Sequence, residues 1–147
     1  MDVTASAGAT FQLSEVSRGA AVGDVDNDGD ADILVVNNNG PARLLINREN
    51  EQRHWMGLEL LGKNEKRDML GARVEILTGD GRSLWRRART DGSYCSAHDP
   101  RVLVGLGDAA AVSAVRIHWP DGTTEEWTGM PIDRYTVLSQ GDGRPLN

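Results

Sequence analysis

Apolar and polar residues alternate along much of this chain with a period of two, the spacing of a strand that has one buried and one wet face. The clearest run is Val115, Arg116, Ile117, His118 and Trp119. Similar runs occupy 72–77, 83–87, 102–106, 123–127 and 135–138, and turn residues separate them at roughly the interval found in sandwiches and barrels. Asp-Gly pairs at Asp80-Gly81 and Asp121-Gly122 supply the backbone freedom that tight hairpins need. They predict two hairpins, 72–77 with 83–87 and 115–119 with 123–127. Only 109–112, which Asp108 can cap, reads as a turn or two of helix, and a plain loop fits it equally well.

Upstream, 19–22, 32–37 and 42–47 read as strands, the last two as a hairpin around Asn38-Asn39-Gly40-Pro41. The polar stretch 48–53 marks a boundary, after which 54–61 opens a second unit with a polar loop over 62–68. The expected division is 1–50 and 51–147. The expected fold is all-β, an antiparallel β-sandwich or small barrel preceded by a β-hairpin unit.

At 147 residues, 39% apolar and 26% charged, the chain suits one sizeable core with an appendage rather than two full domains. Charge changes the picture at one place. There are 22 acidic and 16 basic residues, and five of the acids lie between Asp24 and Asp32; without those five, 17 acids face 16 bases. The acidity is therefore local, and no general basic footprint for nucleic acid is present. Cys95 is the single cysteine, so neither an internal disulfide framework nor a cysteine-rich zinc site is expected. Residues 1–11 lack the basic and apolar regions of a secretory signal, and no apolar run approaches a membrane span, so no membrane partner is expected.

In the acidic segment Asp24, Asp26, Asp28, Asp30 and Asp32 fall at positions 1, 3, 5, 7 and 9, with Gly29 at position 6. Calcium takes six to eight oxygens, and a tight loop aims alternate side chains and one carbonyl at a common point. Carboxylates of Asp24, Asp26, Asp28 and Asp32 would serve, with the backbone oxygen of Asp30, and Gly29 permits the sharp reversal. The helix-loop-helix calcium motif needs a Glu at position 12, where Val35 stands inside an apolar run, so the loop is expected to join strands. A solvated acidic turn with no ion is the plainer alternative, since Asp, Asn and Gly are common turn residues.

Residues 23–35, preceded by Ser17-Arg18-Gly19-Ala20-Ala21-Val22, resemble an FG-GAP or VCBS-type repeat, the unit that forms blades of calcium-binding β-propellers. The remainder resembles the ASPIC/UnbV domain that follows such repeats. Its marks are Gly71-Ala72-Arg73-Val74, Ser93-Tyr94-Cys95-Ser96, Gly105-Leu106-Gly107 and the run from Val115 through Pro120-Asp121-Gly122. Val104 and Asp133 depart from it, standing where an aromatic residue and an Asn are common. The resemblance implies a calcium loop on a propeller-blade-like unit, an extracellular or exported setting, and a binding or scaffolding role rather than catalysis. A blade does not bury both of its faces alone, so a further part of a longer protein, the second unit or another subunit is expected to cover it.

Other groupings carry less. Cys95, His98 and Asp99 suggest a nucleophile, base and orienting acid, but adjacency in sequence does not supply the geometry, and a buried or half-buried Cys in a turn is the plainer reading. Arg86, Arg87 and Arg89 beside Trp85 suggest anion or glycan binding, yet alternation sends Arg86 to the opposite face, and a solvated strand with one buried Trp is expected. Of Trp55, Trp85, Trp119 and Trp127, only Trp127 is expected to be exposed, and Glu125 and Glu126 point to opposite faces, a poor glycosidase pair. The leading expectation is a non-enzymatic, Ca2+-binding interaction module with a protein or glycan partner, or a homo-oligomer covering the blade. A carbohydrate-binding module using exposed Trp and Arg, and an enzyme with an unrecognised site, are the competing functions.

Overall fold

The computed structural model describes residues 8–48, 53–64 and 66–146. After a short 3-10 turn at Ala9–Gln12, the chain forms β1 (Ser17–Gly23), β2 (Asp32–Asn37), β3 (Arg43–Leu45), β4 (His54–Leu61), β5 (Arg73–Thr78) and β6 (Ser83–Arg87). There follow β7 (Val102–Gly107), β8 (Val112–His118), β9 (Thr124–Trp127), β10 (Tyr135–Ser139) and β11 (Arg144–Leu146). They make three sheets, with strand orders β1-β2-β3, β10-β4-β7 and β11-β9-β8-β5-β6. The protein is all-β, without a closed barrel.

The second and third sheets share one core. Met56, Leu58 and Leu60 of β4 and Val104 and Leu106 of β7 pack with Val74 and Ile76 of β5 and Val115 and Ile117 of β8. In β4 and β8 alternate residues point inward, as the period-two pattern requires. Trp119 is also buried, its indole N–H donating to Glu125 at 3.0 Å, and Trp127 packs against it edge-on. Both predicted hairpins of this unit form, Glu75 opposite Trp85 and Ile117 opposite Glu125.

Several expectations need correction. Of the two readings of 109–112 the helical one fails and the loop holds: Val112 begins β8 and Ala109 is tucked into the core, because a short link between two facing sheets leaves no room for a turn of helix. The 42–47 strand contracts to Arg43–Leu45. Trp85 is 46% exposed and stacks on His118, whereas Trp127 is half-buried, the reverse of the expected exposure. The cause is the face it takes: Trp85 stands opposite Glu75, which stands opposite Arg116, on the face of the five-stranded sheet turned away from the core, and Leu84 is the β6 residue that packs inward. Strand β10 pairs parallel to β4, and β11, with Pro145 on the sheet edge where proline is tolerated, carried no readable alternation. The boundary expected over 48–53 falls mostly on residues 49–52, and position 65 of the 62–68 loop also lies outside the described residues.

The first sheet is built differently. Among the described residues none of its hydrophobic side chains is buried, and Leu34, Val36 and Leu44 are exposed on one face. What holds it is the edge of β1. The Asp99 N–H donates to Val22 O at 2.9 Å, and the N–H groups of Ala20 and Val22 donate to Ser93 Oγ and His98 Nδ1. Gly19 permits this approach, since a Cβ there would lie 2.4 Å from Ser96 Oγ.

On the outer face of the five-stranded sheet, Arg116 bridges Glu75 and Glu126, and Arg144 also donates to Glu126. Hydrogen bonds from Arg116 and then Arg144 hold the Glu126 carboxyl below its ordinary value. A carboxyl depressed in the folded state contributes stability that is present above its unfolded value of about 4.3 and is lost as the pH falls through the folded one. Urea midpoints taken from roughly pH 6 down to pH 3 are expected to fall less steeply for Glu126→Gln than for the parent chain.

Candidate metal-binding loop

The acidic loop joins β1 to β2, two neighbouring antiparallel strands, and it is closed by its own carboxylates. Asp24 accepts the N–H groups of Asp28 and Gly29 at 3.2 and 3.0 Å, and Asp28 accepts that of Asp30 at 2.9 Å. Asp32 gives one oxygen to the Val25 N–H and the other to the Asn47 N–H, both at 2.8 Å. Asn27 and Gly29 adopt positive φ of 61° and 96°, reversing the chain.

This arrangement brings together three of the five aspartates. Asp24, Asp26 and Asp28 each present an oxygen within 4.8 Å of the others. Asp24 is buried, Asp26 and Asp28 are exposed, and Asp30 and Asp32 are buried outside this cluster. Desolvation in the loop, then repulsion from Asp28, Asp32 and Asp24, pushes the Asp26 carboxyl above its ordinary value.

The loop is also seated on the sandwich. The Tyr135 hydroxyl donates to Asp24 Oδ2 at 3.0 Å, and Arg101 donates to the Asp24 carbonyl and Asn27 Oδ1, both at 2.7 Å. Burial first, then the Asp24 carboxylate, push the Tyr135 hydroxyl above its ordinary value, so it stays a donor. The Arg101 guanidinium lies 4.0 Å from the centre of the Tyr135 ring and pairs with Asp99. Trp55 meets Tyr135 edge-on, and its ring covers Gly29, where a Cβ would lie 2.4 Å from ring atoms. Sequence reasoning missed Arg101, Tyr135 and Trp55, which lie far from the loop in the chain. Asp133 anchors Trp55 by accepting its backbone N–H at 3.1 Å, pairs with His54, and takes a φ of 57°, a conformation Asn and Asp tolerate.

Residues 62–145 match the sequence profile of the family described as ASPIC and UnbV. The chain belongs to this family. No curated protein matches it. In this ASPIC and UnbV chain the matched region runs from the end of β4 into β11, and so contributes Arg101, Asp133 and Tyr135 to the loop's seat. The Ser93-Tyr94-Cys95-Ser96 segment covers the edge of β1. Cys95 is exposed at a φ of 48°, not buried; His98 Nδ1 is taken by the Val22 N–H and Asp99 by Arg101. Glu125 and Glu126 do point to opposite faces, both buried, toward Trp119 and Arg116.

Gly29 meets two demands at once, a positive φ and contact with the Trp55 ring. Gly29→Ala is expected to destabilise the chain by about 1–3 kcal/mol and to alter tryptophan emission, read by urea denaturation followed by fluorescence.

Proposed function

We propose that this chain is a non-catalytic interaction module whose first sheet, an FG-GAP or VCBS-like unit, is ordered by one calcium ion in the 24–32 loop. The observation that carries the reading is the convergence of Asp24, Asp26 and Asp28 oxygens within 4.8 Å. Two oxygens sharing an ion at about 2.4 Å lie no more than about 4.8 Å apart, so the three fit one cation. The donors are all oxygen, which suits calcium and disfavours softer metals. Asp24, Asp26 and Asp28 would hold the ion, with the Asp30 carbonyl and Asp32 completing the set after small shifts, and the ion's charge would offset their mutual repulsion. Millimolar calcium is an extracellular condition, in keeping with an exported protein. The exposed Leu34, Val36 and Leu44 supply the apolar surface that an interaction module needs.

A ligand that binds only the folded state stabilises it by mass action, by about 2.7 kcal/mol at a hundredfold excess over Kd. Calcium is expected to raise the Tm of the parent chain, with Asp26→Ala losing that rise while keeping its sandwich. A parent Tm indifferent to both calcium and chelator refutes the reading.

The competing function is carbohydrate binding, and the observation favouring it is the half-exposed Trp85 ring, placed flat against His118. On a glycan array, signal from the parent that disappears in Trp85→Ala would favour it over the calcium-ordered module.

A further inference from the structure

We propose that the open edge of β6, together with the arginine-lined cleft beside it, binds an extended acidic peptide segment of a partner protein. Strand β6 is the outermost strand of its sheet and pairs with β5 alone. The N–H of Ala88, just past its end, donates to Ala72 O, and Ala88 O accepts the Gly71 N–H. With a period of two, Leu84 and Arg86 therefore turn their backbone groups to β5, and Ser83, Trp85 and Arg87 turn theirs outward. An open strand edge is a template for another strand, and proteins guard such edges with charge.

Here the guarding charge has one sign. Among the described residues Arg86, Arg87 and Arg89 make no ion pair with a carboxylate, and Arg86 donates to the Trp85 carbonyl. Arg43, Arg82, Arg101, Arg116 and Arg144 each have a carboxylate partner. Three unneutralised guanidinium groups in a chain of net charge −6 are a local excess of positive charge. Such an edge repels the same edge of a second copy and favours a strand carrying carboxylates, which the guanidinium fork binds in bidentate fashion. Strand alternation does not disperse the three around the buried Ala88. All three line one cleft of about 350 Å³, with Val22, Ala31 and Tyr135 on its other walls.

The surroundings select a peptide over a long polyanion. Asp24 borders the same cleft beside the Asp99–Arg101 pair, so a uniformly charged nucleic acid or sulfated glycan passing through it meets repulsion from the Asp24 carboxylate. A peptide in which acidic and neutral residues alternate avoids that repulsion and uses the main-chain groups of the edge, the mode of strand addition. The arginines need no metal, so the assay stands apart from the calcium titration.

The probe is a short fluorescein-labelled peptide of alternating Glu and Thr, followed by anisotropy. Binding is expected for this peptide and not for its Gln-for-Glu counterpart. It should weaken about tenfold for each of Arg87→Gln and Arg89→Gln, which are exposed and leave the circular dichroism spectrum unchanged, and comparably when alternate peptide nitrogens are methylated. Equal binding by the variants, by the Gln peptide or by the methylated peptide overturns the proposal. So does a sulfated oligosaccharide that binds where the Glu peptide does not.

Discussion

Asp24 is a carboxylate only 2% exposed, and a buried charge is tolerable only when hydrogen bonds replace the water it has lost. Its oxygens accept two N–H groups of its own loop and the hydroxyl of Tyr135, and Arg101 donates to its carbonyl. The same residue therefore shapes the acidic loop and ties it to the sandwich. Removing the Tyr135 hydroxyl or a loop N–H leaves part of a buried anion unsatisfied, and removing Arg101 takes the donor from its carbonyl, so the loop, Tyr135 and Arg101 are interdependent.

That tie matters because the two parts of the molecule are held by different forces. The sandwich encloses a shared core to which both of its sheets contribute. The first sheet has no buried hydrophobic side chain among the described residues and depends on hydrogen bonds along β1 and on the seated loop. Segments with little buried apolar surface open at lower free energy than a core does. A cation bound as proposed in the loop would act on this weaker part and so on the order of the first sheet.

Arginine serves opposite ends in the two exposed regions of the third sheet. Across its outer face Arg116 and Arg144 are matched with Glu75 and Glu126, a closed network with little left to offer a partner. At the β6 edge the guanidinium groups meet no carboxylate among the described residues. The difference lies in register: Glu75 stands opposite both Trp85 and Arg116, while the positions opposite Arg86 and Arg87 are Val74 and Arg73.

Strand positions and short turns depend on neighbours close in the chain, which is why β2, β6 and both hairpins of the second unit were readable from apolar patterning and turn residues alone. The loop was readable for the same reason: alternate aspartates around Gly29 are a local pattern, and the structure brings Asp24, Asp26 and Asp28 to one point. Only the tertiary structure decided that Trp85 is exposed, that β10 runs parallel to β4, and that Trp55, Arg101 and Tyr135 seat the loop. Each of these depends on which face of a sheet is covered or which side chain meets another many tens of residues away. A periodicity of two says that a strand has two faces, but what covers each face is set by packing between sheets.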